Sequence, residues 1–165
     1  MMDKNDKRLP FILTLAVVLA DQISKWLITV FIPEGGIGSS FFGGFLRIIH
    51  ARNTAIAFSI GTSMPQALKL VLFSAVPLIV LGAIVIYLLR TDTLTGFQRW
   101  CACGIIGGGV GNLIDRIFRP LGVVDFIDVK FYGLFGLDRW PTFNVADAAI
   151  VICGFLLAVS FLKSK

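Results

Sequence analysis

Four aspartates, spread over three short motifs, are the residues most able to support catalysis. Asp115 lies in GGGVGNLIDR, Asp125 and Asp128 lie in VVDFIDV, and Asp147 lies in FNVADAAI. Two carboxyl groups held close together share a proton, so one can activate a water while the other donates a hydrogen bond to a carbonyl oxygen. Such a pair titrates as a unit and needs neither a metal ion nor a histidine. Spacing alone leaves open which two of the four aspartates meet.

Other hydrolytic chemistries find little support in the chain. The single histidine, His50, is expected to be a surface or interface residue, because zinc sites need three or four ligands. Serines occur without a GxSxG setting, which disfavours a serine hydrolase. The cysteines fall inside apolar segments without metal-type spacing and are expected to pack as small apolar side chains: Cys101, Cys103 and Cys153. We therefore expect no metal ion and no other cofactor.

Two motifs place polar side chains on single helical faces. Asp21 and Lys25 in DQISK are four residues apart, which favours an internal ion pair facing a helix bundle over a catalytic role. Asn112, Asp115 and Arg116 share a face that follows a run of closely spaced glycines. The glycines alone indicate close helix packing. The polar face beyond them suggests a groove that could hold a peptide backbone or a substrate.

Asn144 and Asp147 have a structural interpretation beside the catalytic one. Asn144 can cap the last helix, and Asp147, three residues later, can return the hydrogen bond and favour the positive end of the helix dipole. This arrangement does not explain Asp125 and Asp128, since neither opens an obvious helix. Both interpretations of Asp147 therefore stay open on the sequence.

The elements that must position these side chains are helices in lipid. Hydrophobic residues make up 56% of the 165-residue chain, more than a soluble fold of this size could bury. Four stretches supply the about 20 apolar residues that a membrane span requires: residues 10–32, 67–89, 97–118 and 143–162. We expect an all-α integral membrane protein that forms one four-span unit over residues 1–165. Gly-rich turns and apolar residues predict a small β-like platform in residues 33–66, and residues 119–142 form a second loop.

Positive charge near the spans predicts their orientation. Lys and Arg precede the first span, bracket the second connection and close the chain, so both termini are expected in the cytoplasm. The platform and the second loop are then extracytoplasmic, although they carry basic residues as well: Arg47, Arg52, Arg119, Lys130 and Arg139. A cleaved secretory signal is disfavoured, because no small-x-small site follows the first span. The cytoplasmic flanks explain most of the net charge of +5, so no nucleic-acid partner is expected.

Taken together, five motifs resemble those of the lipoprotein signal peptidases, also called signal peptidase II. DQISK, ARNTAIAFS, GGGVGNLIDR, VVDFIDV and FNVADAAI stand in that family's order and at its spacings, from the first span to the last. The resemblance implies an aspartic endopeptidase of the bacterial cytoplasmic (inner) membrane, with both termini inside. It implies a diacylglyceryl-modified prolipoprotein as substrate, cut just before the lipidated cysteine.

The resemblance also assigns roles to individual residues. The catalytic pair would be Asp125 and Asp147, near the outer leaflet. The residues that match positions lining the family's site are Asn53, Asn112, Arg116 and Asn144; those that match supporting positions are Asp21, Lys25, Asp115 and Asp128. Two departures from the usual motifs, Ala55 and Gly109, keep a small side chain and bear on local backbone geometry.

Membrane lipid and the lipidated precursor are the partners that this reading implies, and we expect a monomer. The aromatic residues of the second loop, Tyr132, Phe135 and Trp140, are expected at headgroup level, where they could clamp the substrate from above.

Two other functions remain as alternatives. A small proton-coupled transporter or channel also uses intramembrane aspartates, but it predicts carboxylates near the midplane and repeated halves, and no repeat is visible. A non-catalytic membrane assembly factor would explain the glycine faces and would leave Asp125 without a role.

Overall fold

Four helices form the body of the protein. The computed structural model describes residues 7–53, 65, 68, 71–119 and 121–163. The helices are α1 (Phe11–Phe31), α2 (Val76–Arg90, preceded by a π-helical turn at Val71–Ala75), α3 (Gly96–Phe118) and α4 (Val145–Lys163). In the described part of the chain, these four are long and apolar enough to cross a membrane when α2 is taken together with its π-helical turn, as Val71–Arg90. The predicted four-span architecture is confirmed, and residues 67, 69 and 70 of the second predicted span lie outside the described residues.

The π-helical turn before α2 has a local cause in Pro77. Proline occupies the first turn of α2, where its missing N–H removes a hydrogen bond and its ring would crowd the carbonyl four residues earlier. A wider turn at Val71–Ala75 accommodates the ring. The second span therefore starts with a change of helix type.

Helix α3 lies at the centre of the bundle, and its glycines let two neighbours approach. Gly108 packs against the backbone of Ala146 in α4, while Gly107 packs against Val17 in α1, where an added Cβ would lie 2.8 Å from the Val17 Cβ. The predicted small-xxx-small faces thus serve two different helices. Because α1 and α4 both come this close, polar side chains near the end of α3 reach both of them.

A three-stranded antiparallel sheet sits where α1 and α3 end and α4 begins. Its strands are β1 (Ile37–Phe41), β2 (Leu46–Asn53) and β3 (Val123–Val129), in the order β1-β2-β3. The sheet is anchored by a small apolar core of Ile28, Ile32, Val124 and Phe126. The predicted β-like platform is confirmed, although residues 54–64 and 66 of it lie outside the described residues. The sequence did not predict β3, which supplies the third strand.

Asp128 ties the sheet to the loop that follows β3. Its carboxylate accepts hydrogen bonds from Arg47 Nε at 2.7 Å and from Arg139 Nε at 2.6 Å. Arg139 also donates to the Gly44 carbonyl at 3.2 Å. Asp128 is buried and holds three segments together, so it supports the platform.

His50 is buried in the sheet and is not the surface residue expected from the sequence. His50 is only 4% exposed, and its Nδ1 lies 2.8 Å from the carbonyl oxygen of Ile32. The imidazole therefore joins β2 to the end of α1. Cys101 and Cys103 are buried in α3, in agreement with their expected packing role, and Cys153 is half-buried.

The opposite end of the bundle brings the chain start close to the α2–α3 connection. Lys7 Nζ lies 2.6 Å from an oxygen of Asp92. Arg99 in α3 donates to the carbonyl oxygens of Leu88 at 2.7 Å and Thr91 at 2.5 Å, which satisfies backbone groups left open at the end of α2. The segment before α1 and the α2–α3 connection thus share one side.

Candidate active site

Asp125 projects from the middle of β3 into a buried setting that is rich in amide donors. The residue is 3% exposed. Asn53 Nδ2 donates to Asp125 Oδ2 at 3.0 Å, and Asn144 Nδ2 donates to Asp125 Oδ1 at 2.7 Å. The carboxyl group is therefore held by two amides, one from the end of β2 and one from the segment before α4.

Asp147 lies in the first turn of α4 and takes part in the capping exchange expected from the sequence. Its backbone N–H donates to Asn144 Oδ1 at 2.9 Å, and its Oδ2 accepts the Asn144 backbone N–H at 3.2 Å. Its other oxygen, Oδ1, accepts from Asn112 Nδ2 at 2.7 Å. Asp147 thus caps the helix and also faces the polar cluster, so the two interpretations are compatible.

Asn144 connects the two aspartates directly. Its amide nitrogen donates to Asp125, while its amide oxygen and backbone N–H engage Asp147. The same Nδ2 lies 3.0 Å from Asn112 Oδ1. Asn144 is fully buried. One side chain therefore fixes the strand carboxyl relative to the helix carboxyl.

A cluster of buried charges lies behind Asn112. Lys25 Nζ is 2.8 Å from Asp21 Oδ2 and 3.0 Å from Asp115 Oδ2, and all three side chains are 0% exposed. Arg119 pairs with the other oxygen of Asp115 at 3.0 Å. Two carboxylates thus face two cations, which is how a buried ionic cluster avoids an uncompensated charge.

The same cluster holds α1, α3, α4 and β3 to one another. Asp21 Oδ1 accepts the backbone N–H of Ala146 in α4 at 3.0 Å, and Asp115 Oδ2 accepts that of Val124 in β3 at 3.2 Å. The internal ion pair predicted for Asp21 and Lys25 is present, with Asp115 as an additional partner.

Gln22 is a member of the cluster that the sequence analysis did not single out. Its Nε2 lies within 3.1 Å of Asp21 Oδ2 and Asp115 Oδ1 and donates to the Gly111 carbonyl at 3.0 Å. In the sequence, an uncharged amide beside an aspartate only weakly indicates a buried polar cluster. The position of Gln22 inside an apolar span, next to Asp21, is the feature that could have indicated its role.

A cavity of about 570 Å³ opens beside the two aspartates. Asn53, Asn112, Arg116, Asp125 and Asp147 contribute its polar lining. Most of the remaining described lining is apolar and comes from β3, the segment before α4 and α4 itself: Val123, Trp140, Pro141, Thr142, Phe143, Ala148, Ile150, Val151 and Ile152. The cavity therefore joins a polar end at the carboxyl groups to an apolar wall.

Of the ten site residues named from the sequence, six meet at this cavity or at the aspartates within it. Asn144 is the sixth, through its bonds to both carboxyl groups. Asp21, Lys25 and Asp115 lie one layer behind. Asp128 lies apart from them, further along β3, where it pairs with Arg47 of β2. The apolar lining of the cavity was not predicted, except for Trp140.

The electrostatic setting of Asp125 makes its carboxyl group bind a proton more readily than usual. Burial, together with the neighbouring Asp147 charge, raises the pKa of Asp125 to about 6, against the lowering effects of the Asn53 and Asn144 hydrogen bonds and of Lys25. A neutral carboxylic acid can donate a hydrogen bond, which an ionised one cannot. Within the described residues, three or more His, Cys, Asp and Glu side chains do not come together as a metal site. The arrangement suits a carboxyl pair acting on water.

Comparisons with known proteins point to one family. A family model described as signal peptidase (SPase) II matches residues 13–163. The lipoprotein signal peptidase of Treponema pallidum (strain Nichols) is 48% identical over 162 residues, covering 98% of this chain and 87% of the relative. That of Borreliella afzelii (strain PKo) is 48% identical over 157 residues, covering 94% of this chain and 91% of the relative.

Solved structures agree with these matches at the level of the fold. Two bacterial membrane enzymes superpose with TM-scores of 0.82 and 0.81, at 29% and 28% identity. The first comparison covers 99% of this chain and 93% of the other, and the second covers 100% and 99%. The matches support the peptidase interpretation and not the transporter alternative. This multi-pass bacterial membrane protein belongs to the signal peptidase II family.

Proposed function

We propose that the protein is an aspartic endopeptidase that removes the signal peptide from lipoprotein precursors, with Asp125 and Asp147 as its catalytic pair. The observation that carries this proposal is the bridge through Asn144, which holds a strand carboxyl and a helix carboxyl at one cavity. The family match and the names of the relatives support the reaction type and the precursor class.

The two carboxyl groups take different roles in this proposal. Asp147 is the base, because the first turn of α4 favours a negative charge. Asp125 holds the shared proton, in keeping with its burial and its raised pKa of about 6. Asn112 and Asn144 hold the pair in this arrangement through their hydrogen bonds.

Hydrolysis then proceeds with balanced proton transfers. Asp147 takes a proton from water, whose oxygen bonds to the carbonyl carbon of the scissile peptide, while Asp125 gives its proton to the carbonyl oxygen. When the C–N bond breaks, Asp147 protonates the leaving nitrogen and one hydroxyl proton of the intermediate returns to Asp125. The products are a carboxyl group on the signal peptide and a new amino terminus.

The mixed lining of the cavity supports a substrate that is partly lipid. A diacylglyceryl group on the precursor would leave its acyl chains along Ile150 and Val151, of which Val151 is 68% exposed on the outer surface of α4. The scissile peptide would then reach the polar end, where Arg116 and Asn53 can bind its backbone. Membrane lipid and a diacylglyceryl-modified prolipoprotein are thus the proposed partners of a monomer.

We propose that the sheet and the catalytic pair lie at the outer leaflet and that both termini are cytoplasmic. The sheet and the cavity are at one end of the bundle, whereas Lys7, the α2–α3 connection and Lys163 belong to the other. Positive residues near that second end support a cytoplasmic position. Water is available at an interface and not at the midplane, which suits a hydrolase.

The aromatic residues of the second loop are proposed to clamp the substrate. Trp140 lines the cavity and packs against Phe131 with ring centroids 5.0 Å apart. Tyr132 and Phe135 are 70% and 83% exposed and suit the headgroup level. Changing these side chains to alanine should slow processing without unfolding the bundle, and processing at the normal rate would reject the clamp.

The direct test is cleavage of a diacylglyceryl-modified precursor by the purified protein in detergent. Asp125→Asn and Asp147→Asn should each abolish cleavage with the fold intact, because asparagine keeps the shape and removes the titratable oxygen. Asp138→Asn is the matched control, since Asp138 is exposed on the loop after β3 and should tolerate the same exchange. Cleavage at a similar rate by either site variant would show that the pair is assigned wrongly.

A further inference from the structure

We propose that Lys25 is a positioning residue for catalysis, because its buried ammonium group binds the oxygen end of the Asn112 amide and so holds the nitrogen end toward Asp147. The inference rests on the proposed function and adds a role to a residue that otherwise completes an ion cluster. The contact joins Lys25 on α1 to Asn112 on α3, and Asn112 in turn donates to Asp147 on α4.

The hydrogen bonds of Lys25 leave it no freedom to turn away. An ammonium group has three donors and no acceptor. Its three bonds go to Asp21 Oδ2 at 2.8 Å, Asp115 Oδ2 at 3.0 Å and Asn112 Oδ1 at 3.0 Å. Asp21 and Asp115 neutralise the charge, and the third donor is directed at the amide oxygen of Asn112.

This third bond sets the polarity of the Asn112 amide. The two ends of an asparagine amide have almost the same shape, so only the hydrogen-bond partners distinguish them. Lys25 can only donate, so the end that faces it must be the oxygen. Asn144 Nδ2 donates to that same oxygen at 3.0 Å. The amide nitrogen is therefore left to donate to Asp147 Oδ1, at 2.7 Å.

The polarity of Asn144 is set independently and agrees with that of Asn112. Asn144 Oδ1 accepts the backbone N–H of Asp147 at 2.9 Å, and a backbone N–H can only donate. Its nitrogen must then face Asp125 and Asn112. Lys25 at one end and the α4 backbone at the other thus orient both amides, and every oxygen in the series meets a donor.

Removal of the Lys25 donor would leave Asn144 and Asp147 to hold the Asn112 amide without the bond from the ammonium group. The oxygen end of the amide would be fixed less firmly, so its nitrogen end would donate to Asp147 in a less favourable geometry. This would weaken a charge-assisted hydrogen bond to the carboxylate. Because such a bond favours the charged form of a carboxyl group, we expect the acidic limb of the pH–rate profile to move to higher pH.

Among the described residues, three other charged groups act on the pair that includes Asp147 or lie beside it. Asp125 is on β3 and Arg116 is on α3, while α1 contributes Lys25, whose charge also acts on Asp125. Arg119, also in contact with the cluster, pairs with Asp115 without touching Asn112. It therefore provides a matched way to remove one positive charge from the same cluster.

The experiment compares pH–rate profiles of kcat/KM for the full chain in detergent with a lipidated precursor. Lys25→Met keeps the length of the side chain and removes the donor. We expect kcat near neutral pH to fall about 10- to 100-fold, KM to change little, and the acidic limb to move up by about one to two pH units. Arg119→Gln should leave the limb where it is in the wild type, even if it lowers thermal stability.

A double-mutant cycle tests whether the effect passes through Asn112. In an Asn112→Ala background the amide is absent, so adding Lys25→Met should not move the acidic limb further. If Lys25→Met does not fold, the comparison is made in an Asp115→Asn background. Asp115→Asn then takes the place of the wild type, and the Lys25→Met/Asp115→Asn double variant takes the place of Lys25→Met. The double variant loses one positive and one negative charge, so the charge of the cluster stays balanced. The double variant should then show the shifted limb, and Asp115→Asn the normal one.

Two results would overturn the proposal. One is a Lys25→Met profile equal to that of Arg119→Gln, which would mean that the residue acts only through charge or stability. The other is a shift in the Asn112→Ala background as large as in the wild type. Persistent cleavage by Asp125→Asn or Asp147→Asn would instead reject the catalytic pair, so the failure of one proposal is distinguishable from that of the other.

Discussion

Asn144 combines two tasks that are usually performed by different residues. Its side-chain oxygen caps α4 by accepting the Asp147 N–H, and its side-chain nitrogen donates to Asp125. The cap orients the helix start, and the bond to Asp125 orients the strand carboxyl. Changes at this position should therefore affect stability and catalysis separately.

Two substitutions of Asn144 should separate the tasks. Asn144→Ala removes both, so we expect cleavage to be lost and the protein to be destabilised by about 1 kcal/mol from the missing cap. Asn144→Asp keeps a capping oxygen but adds a third carboxylate beside Asp125, so cleavage should be lost with thermal stability closer to the wild type. Thermal unfolding in detergent, alongside the cleavage assay, measures both. Equal destabilisation by the two variants would contradict the capping role.

Asp125 should make the stability of the protein depend on pH. Its pKa of about 6 in the fold lies above the ordinary value of 3.8, so the folded protein retains a proton that the unfolded chain has lost between these values. Stability should therefore fall as pH rises from about 4 to 6, by about 3 kcal/mol from this group. Asp125→Asn has no such group, so its unfolding midpoint should change less over that range. Parallel curves for the two proteins would contradict the raised pKa.

Sequence identified these residues without showing how they meet. The motifs place Asp125 and Asp147 by resemblance, but four aspartates were equally available to spacing alone. The pairing depends on β3 running beside β2, with Asp125 opposite Ala51, and on α4 starting at Val145. Both are tertiary facts. The Asn144 and Asp147 cap, in contrast, is local and was predictable from residues three apart.

The contact between α3 and α4 depends on small residues at defined positions. A Cβ added at Gly108 would collide with the backbone carbonyl oxygen of Ala146, and one added at Gly111 would lie 2.7 Å from Asp21 Oδ2. A backbone atom cannot turn aside as a side chain can. The glycine spacing was visible in the sequence, and the span boundaries followed from hydropathy. The strands were harder to locate, since β3 is a single short run whose partner lies about 75 residues earlier.

Gly108→Ala should therefore force α4 away from α3. We expect a loss of about 1–3 kcal/mol in stability and a large loss of cleavage, because Asp147 and Ala146 belong to the same turn of α4. Gly82→Ala is the matched control, since Gly82 lies in α2 with nothing within 4 Å of an added Cβ. Thermal unfolding and cleavage measure the two effects. A Gly108→Ala protein as stable and active as Gly82→Ala would contradict the close packing.

Across the whole molecule, the sheet and the proposed catalytic pair lie at one end and the α2–α3 connection at the other. The proposed orientation places Asp138 on the extracytoplasmic side and Thr93 in the cytoplasm, and both residues are exposed. Positive residues predicted this arrangement, although the basic residues of the platform weakened the signal. Arg47 and Arg139 have a structural role on this side, because both donate to Asp128 and so stabilise the sheet.

Cysteine labelling tests the orientation. An impermeant maleimide should label Asp138→Cys in right-side-out vesicles and Thr93→Cys in inverted vesicles, since only the exposed side is reached. The unchanged chain is the control, because Cys101 and Cys103 are buried and Cys153 is half-buried within the span α4. The reverse labelling pattern would contradict the proposed topology.

The buried charges also bear on how the protein is made. Lys25 and Asp115 lie 90 residues apart, so α1 is synthesised and must enter the bilayer before its partner on α3 exists. An unpaired lysine or aspartate in the middle of a span costs about 2.5–3.5 kcal/mol at insertion. Asp21 lies one turn from Lys25 on α1, and Arg119 lies one turn from Asp115 at the end of α3. Each helix therefore carries its own counter-ion into the membrane. The ion pair between Lys25 and Asp115, which joins two helices, forms only when the bundle assembles.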